Sequence, residues 1–302
     1  MKRVLITGAG SYVGGWVRRR LECEPDRFKV EELDVRDATW RKHDFSEYDS
    51  VFHVAGIAHV RESSLPENVY MDTNCKLAIE VAKRAAKSGV AQFIFMSTAA
   101  VYGDGSRSSV NGITPNTPLN PSTWYGKSKA AAEQQLEALA SDGFHVCILR
   151  CPMIYGPACK GNFVQLIKIA RMVPIFPRVE NRRSALHIDN LAEFVSLAVD
   201  RTMSGVYWPQ DGEYLNTSHA VFVLGQAMGR RIVLIGALAP LVSLASSFIG
   251  AAQKAFGDFW FDLQACASPI DELYRVTLLD RDAIRCTELG TGVSHSEISS
   301  GA

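Results

Sequence analysis

Short apolar runs alternate along this chain with longer stretches in which apolar positions recur every three or four residues. The runs fall at 2–7, 28–33, 50–55, 91–97 and 144–151. Several are apolar almost throughout, as in Val4-Leu5-Ile6 and Phe93-Ile94-Phe95-Met96, which is the pattern of strands buried on both faces. Helical spacing occupies about 13–22, 66–88 and 123–141 between them. Such alternation predicts an α/β fold, a doubly wound parallel sheet covered by helices on both sides. Asp189 reads as the N-cap of a further helix running to about Asp200.

The first run, Lys2 to Thr7, leads straight into Gly8-Ala9-Gly10-Ser11-Tyr12-Val13-Gly14 and then into helical spacing. A strand, a glycine turn and a helix start together place a pyrophosphate on exposed backbone N–H groups. Asp34 closes the second run and lies 20 residues beyond Gly14, the separation at which a dinucleotide fold holds a ribose-binding carboxylate. A glycine-rich turn without a ligand is the alternative reading.

The fourth run ends in two adjacent hydroxyls, Ser97 and Thr98. Strand C-terminal ends are where open α/β sheets bind ligands, and a hydroxyl there can orient a substrate oxygen. The alternative is that both merely bond nearby backbone. Tyr125 and Lys129 are four apart, so on a helix they share a face. A free phenol titrates near ~10. An adjacent ammonium favours the phenolate and makes a base able to deprotonate an alcohol. Alone, the pair reads first as a solvated helix face; the glycine turn and the strand end reverse that weighting.

Taken in order, these motifs resemble the extended short-chain dehydrogenase/reductases, the NAD-dependent epimerase/dehydratase family. Within it the chain is similar to the nucleotide-sugar 4-epimerases that act on UDP-galactose and UDP-glucose. The likeness continues through His53-Val54-Ala55-Gly56, Asn74, Thr98 to Gly103, Arg150 to Pro157, Asn162 and Arg183 to Leu191, nearly the whole chain. It implies a Rossmann-type domain that binds NAD, with a smaller, mainly helical C-terminal substrate lobe. By resemblance Tyr125 is the acid/base, Lys129 its partner and a ligand of the nicotinamide ribose, and Thr98 the group that orients the substrate hydroxyl. Gly8, Gly10, Ser11, Tyr12, Val13 and Gly14 would hold the pyrophosphate. Asp34 would take the adenosine ribose, and Ala55, Gly56, Asn74 and Ser97 would line the groove. Pro152 and Ile154 would back the nicotinamide. Asn162 and Arg183 would bind the substrate diphosphate, for which a guanidinium fork is suited.

Three departures from the family pattern matter. The usual turn has glycine at Ser11, whereas here glycine comes one residue earlier, at Gly10. Only about a dozen residues separate Asp34 from Asp49-Ser50-Val51-Phe52, where the family fits another strand and helix. Asp44-Phe45 is therefore read as a shortened strand end near adenine, a second candidate beside Asp34. Dehydratases of the family carry an acidic pair directly after the catalytic threonine, and decarboxylating relatives keep a glutamate nearby. Those positions are Ala99 and Ala100 here, which exchange no proton. Hydride transfer with proton exchange at one carbon remains, and the resemblance implies a UDP-sugar 4-epimerase. A same-fold reductase or dehydrogenase and a non-catalytic NAD-sensing regulator are the alternatives.

Composition adds limits. Basic and acidic residues balance at 32 each, so nothing favours nucleic acid. Seven cysteines without Cys-x-x-Cys spacing read as reduced thiols in a cytoplasmic protein. His53 and His59 have no cluster of further ligands, and no metal site is expected. The chain opens on its first strand, so no secretory leader is expected. Residues 232–253 hold no charge, a length that could span a bilayer, but Pro240, serines and glycines dilute them. They are assigned to a lobe helix or a homodimer contact rather than to a membrane. The domain limits expected are 1–157 with about 183–203 for the NAD-binding part, 158–182 and 204–290 for the lobe, and 291–302 for a frayed tail.

Overall fold

The computed structural model describes residues 1–58, 60, 64–103, 112–248 and 255–288; His59 and the expected tail lie outside them. Six parallel strands form the main sheet: β1 (Lys2–Thr7), β2 (Phe28–Leu33), β3 (Ser50–His53), β4 (Gln92–Thr98), β5 (His145–Cys151) and β9 (Gly205–Tyr207). Their order is β2-β1-β3-β4-β5-β9. The chain moves outward from β1 to β2 and then returns to β3 on the other side of β1. That reversal opens a crevice at the strand C-termini, beside the glycine turn.

Period-two alternation sorts the strand residues onto two cores. Val4, Ile6, Ile94, Met96, Cys147 and Leu149 face α1 (Tyr12–Glu22) and α6 (Ile188–Asp200). Leu5, Val51, Phe93, Phe95, Val146 and Ile148 face α3 (Leu77–Lys87) and α4 (Trp124–Glu137). Fully burying each such side chain stabilises the fold by about 1.5–3 kcal/mol, so a slip of one residue is strongly disfavoured.

The expected helix over 66–88 is one continuous rod with a defect. It comprises α2 (Glu67–Tyr70), a π turn at Met71–Lys76 and then α3. The cap of α6 also differs from expectation. His187, not Asp189, is the N-cap, its Nδ1 accepting the Asp189 N–H at 3.2 Å. Asp189 stands in the first turn, where a carboxylate suits the helix dipole.

No strand forms at Asp44-Phe45. A 3₁₀ turn at Ala38–Lys42 follows Asp37, and Trp40 and Phe45 plug the core below it. Asp44 spends one oxygen on Ser46, accepting from its N–H at 2.9 Å and its hydroxyl at 2.8 Å. The segment is too short for another strand–helix unit, and β2 is the last strand on that side.

The lobe packs α5 (Asn162–Met172), α7 (Thr217–Ala227) and the helix Leu279–Glu288 around Phe163, Leu166, Leu224 and Cys286. Two small parallel pairs border it: β6 (Met153–Tyr155) with β8 (Ala185–His187), and β7 (Ile175–Pro177) with β10 (Val233–Ile235). The uncharged stretch does not form one rod. It becomes β10, a 3₁₀ turn at Gly236–Leu238 and α8 (Ala239–Phe248), and no described helix is long and apolar enough to cross a membrane. The expected limits also move. β9 completes the main sheet, and Ile270 and Tyr274 return to the first core, with the Tyr274 ring 5.0 Å from that of Phe194.

Candidate active site

The glycine turn is built to bring backbone close. Gly8 has φ +113°, and a Cβ there would stand 2.8 Å from the Ala55 nitrogen. Its N–H donates to Leu33 O at 3.0 Å, tying the turn to the end of β2. Ser11, where the family has glycine, supplies the N-cap: its Oγ accepts the Gly14 N–H at 3.1 Å. Gly10, at φ +72°, makes the tight turn in its place. Among the described residues the N–H groups of Tyr12 and Val13 have no acceptor, and both open outward from the start of α1. This arrangement fits a pyrophosphate.

Thr98 ends β4 and caps the 3₁₀ turn Ala99–Tyr102, its Oγ1 accepting the Ala100 N–H at 3.2 Å. Thr123 caps α4 by accepting from Gly126 N at 3.1 Å. A Cβ on Gly126 would lie 2.4 Å from Ala100 O, so only glycine lets the first turn of α4 sit against that 3₁₀ turn. The close approach brings Tyr125 to a side-chain hydrogen bond with Thr98. One turn on, Lys129 donates to Met96 O at 2.8 Å and lies 4.5 Å from the centre of the Phe95 ring. An ideal Cβ at Gly56 would be 3.5 Å from its ammonium nitrogen. The lysine is thereby pinned beneath the loop after β3.

Electrostatics correct one expectation. Burial pushes the Tyr125 phenol up to about 12, against a smaller opposing effect of the Thr98 hydrogen bond. Burial brings the Lys129 ammonium down to about 8, opposed by the charge of Glu133. In the protein alone, desolvation therefore outweighs any lowering of the phenol by the lysine.

Behind the pair is a buried network that the sequence reading missed. Arg150 donates to Glu133 at 2.8 and 3.0 Å and to the Tyr102 hydroxyl at 2.7 Å. Ser97 donates to the other Glu133 oxygen. Glu133 falls four residues past Lys129, a helical spacing that could have flagged it.

A cleft of about 420 Å³ lies across this region. It gathers Ser11, Tyr12, Val13, Gly56, Ser97 and Thr98 from the sheet side. Tyr125, Lys129, Pro152, Ile154, Asn162 and Arg183 line it too. Lys160, Met153 and Phe259 also line it and were not anticipated. Lys160 is exposed and sits just before Gly161, the N-cap of α5. Arg183 is held by its backbone against Leu215 and donates to Gly257 O at 2.8 Å.

Six expected residues are not on the wall. Gly8, Gly10, Gly14 and Ala55 shape the turn from behind. Asn74 spends its amide on Ile57 N at 2.7 Å, Ile57 O at 3.1 Å and Ser128 Oγ at 3.1 Å, so it fixes the loop rather than facing the cleft. Asp34 is exposed at the end of β2, and Arg36 occupies both of its oxygens, holding the carboxyl down at about 2. His53 lies in the core: its ring is stacked with Phe93 and Phe95, and Nδ1 meets the Thr7 hydroxyl at 2.7 Å. The described residues do bring ligand atoms of His187, Asp282 and Cys286 within 4.8 Å of one another, and His187 Nε2 is bonded to Asp282 at 2.9 Å.

A doubly wound sheet, a pyrophosphate-ready helix start and a threonine–tyrosine–lysine group at the strand ends define a dinucleotide-dependent enzyme of the short-chain dehydrogenase/reductase type. The model of the NAD dependent epimerase/dehydratase family matches residues 4–207, and the chain belongs to that family; its cofactor is NAD. The chain is 30% identical over 254 residues to a UDP-glucose 4-epimerase of Vibrio cholerae, covering 76% of each protein. It is 32% identical over 212 residues to a dTDP-glucose 4,6-dehydratase of Streptomyces griseus, covering 67% of this chain and 63% of that one. Among solved structures it is similar in fold to a UDP-glucuronic acid 4-epimerase of Bacillus cereus in complex with NAD. The TM-score is 0.72 at 16% identity, covering 95% of this chain and 98% of that one.

Proposed function

We propose that this protein is a nucleotide-sugar 4-epimerase acting on a UDP-hexose in the cytoplasm. The observation that carries the reading is the Thr98–Tyr125–Lys129 group on a cleft wall whose neighbouring positions, Ala99 and Ala100, have no group to exchange a proton. A similar UDP-glucose 4-epimerase supports the substrate class. NAD would supply an acceptor for the C4 hydride and return it, and its oxidised ring would bring a positive charge that favours the phenolate. Thr98 orients the C4 hydroxyl and Tyr125 removes its proton. Lys129 would hold the nicotinamide ribose, and Pro152 and Ile154 would back the ring. The keto sugar would turn within the cleft, and Tyr125 would return the proton to its C4 oxygen. Lys160 and Arg183, with Asn162, bind the diphosphate. Asp34, once released by Arg36, takes the ribose hydroxyls and disfavours a 2′-phosphate.

The test is incubation with UDP-glucose, UDP-galactose and their N-acetyl forms, following product stereochemistry and NADH together. Interconversion without accumulating NADH is expected; stoichiometric NADH, or no interconversion of any of the four, overturns the reading. Tyr125→Phe should bind NAD normally and turn over roughly 10²–10⁴-fold more slowly.

A further inference from the structure

Charge balances over the whole chain and nearly so over the lobe, but within the lobe two segments carry basic residues alone. Residues 161–179 and 219–253 carry Lys168, Arg171, Arg178, Arg230 and Arg231 and no aspartate or glutamate. Among the described residues Lys168, Arg178, Arg230 and Arg231 are exposed and have no ion-pair partner. The same elements carry exposed apolar side chains. In the β7–β10 pair Ile175 stands opposite Val233 and Phe176 opposite Leu234. Phe176 turns inward, while Ile175 and Val233 are 50% and 57% exposed on the other face. Met172, at the end of α5, is 70% exposed; Leu241 and Leu244, three apart on α8, are 62% and 61% exposed. Because the two strands run parallel, Arg171 and Met172 enter at the same end as Arg230 and Arg231. Arg178 marks the other end, its N–H donating to Ile235 O at 3.1 Å.

Monomeric soluble proteins seldom show a contiguous apolar patch beyond a few hundred Å². Apolar side chains rimmed by unpaired arginines match the boundary of an anionic bilayer, where the former enter the acyl region and the latter meet lipid phosphates. A second copy packed on the same patch would set like charge against like charge. We propose that this face of the lobe docks the protein peripherally on an anionic lipid surface, which amends the expectation of no membrane contact. α5 runs from Asn162 in the cleft to Met172 in the patch, so at 1.5 Å per residue the cleft would open roughly 15 Å from the lipid.

The test is co-sedimentation of the full chain with vesicles of phosphatidylcholine alone or mixed with phosphatidylglycerol. Binding to the anionic vesicles only, weakened by salt, is expected. Arg230→Gln/Arg231→Gln should lower partitioning roughly 30-fold, from ~1 kcal/mol per basic side chain near the surface. Leu241→Ser/Leu244→Ser should lower it as well, and both variants should keep wild-type turnover of a soluble substrate. No binding at low salt, or unchanged binding by both variants, overturns the proposal. So does a dimer that these variants dissociate without any vesicle binding. Partitioning is read without turnover, so its failure is separable from failure of the epimerase reading.

Discussion

At the scale of single residues, burial sets the chemistry as much as identity does. The shared helix face of Tyr125 and Lys129 was legible from their four-residue interval, and their role only from the glycine turn and strand end beside it. Their proton affinities were not, because desolvation depends on what the rest of the fold lays over them. His53 shows the same effect away from the cleft. Burial, with Lys129 nearby, holds its imidazole down to about 3, and its Nε2 has no partner among the described residues. The unfolded chain takes up a proton as pH falls through the ordinary value of 6.5, while the folded chain stays neutral until about 3. Stability therefore falls on acidification across that window, by up to about 1.4 kcal/mol per pH unit for one proton. Urea unfolding at about pH 7 and pH 5 should show a shallower loss for His53→Gln than for the wild type. Equal losses would refute the assignment.

At the scale of elements, α4 is the part that makes a site out of a sheet. Its face was readable in the sequence; its depth of insertion was not, because Gly126 gives no sign of meeting Ala100 O until β4 and the 3₁₀ turn are in place. Gly126→Ala should lift Tyr125 away from Thr98. A misplacement of about 1 Å costs on the order of 100-fold in turnover, so kcat should fall that far with NAD affinity little changed. Steady-state kinetics beside an NAD titration would check it, and a wild-type kcat would show that the contact is not positioning. The Arg150–Glu133–Ser97 network was equally hidden, since its members come from β5, α4 and β4 and meet only through tertiary packing. β9, at three residues, was too brief to carry a period-two pattern.

At the scale of the whole molecule, the strands and the glycine turn were legible because parallel strands buried on both faces write themselves as apolar runs. The division between sheet and lobe was less so, because Ile270 and Tyr274 come back to the first core after a long excursion. The short crossing from Asp34 to Ser50 has a consequence for how the enzyme lives with its coenzyme. With no described strand beyond β2, the adenosine end would have one wall fewer, and a coenzyme gripped mainly by its nicotinamide half would escape sooner. Each catalytic cycle would then run a race against departure. Preparations passed through a desalting column should emerge partly idle and revive when NAD is added back, which a rate assay before and after supplementation would reveal; an unchanged rate would mean the grip is firm without that wall.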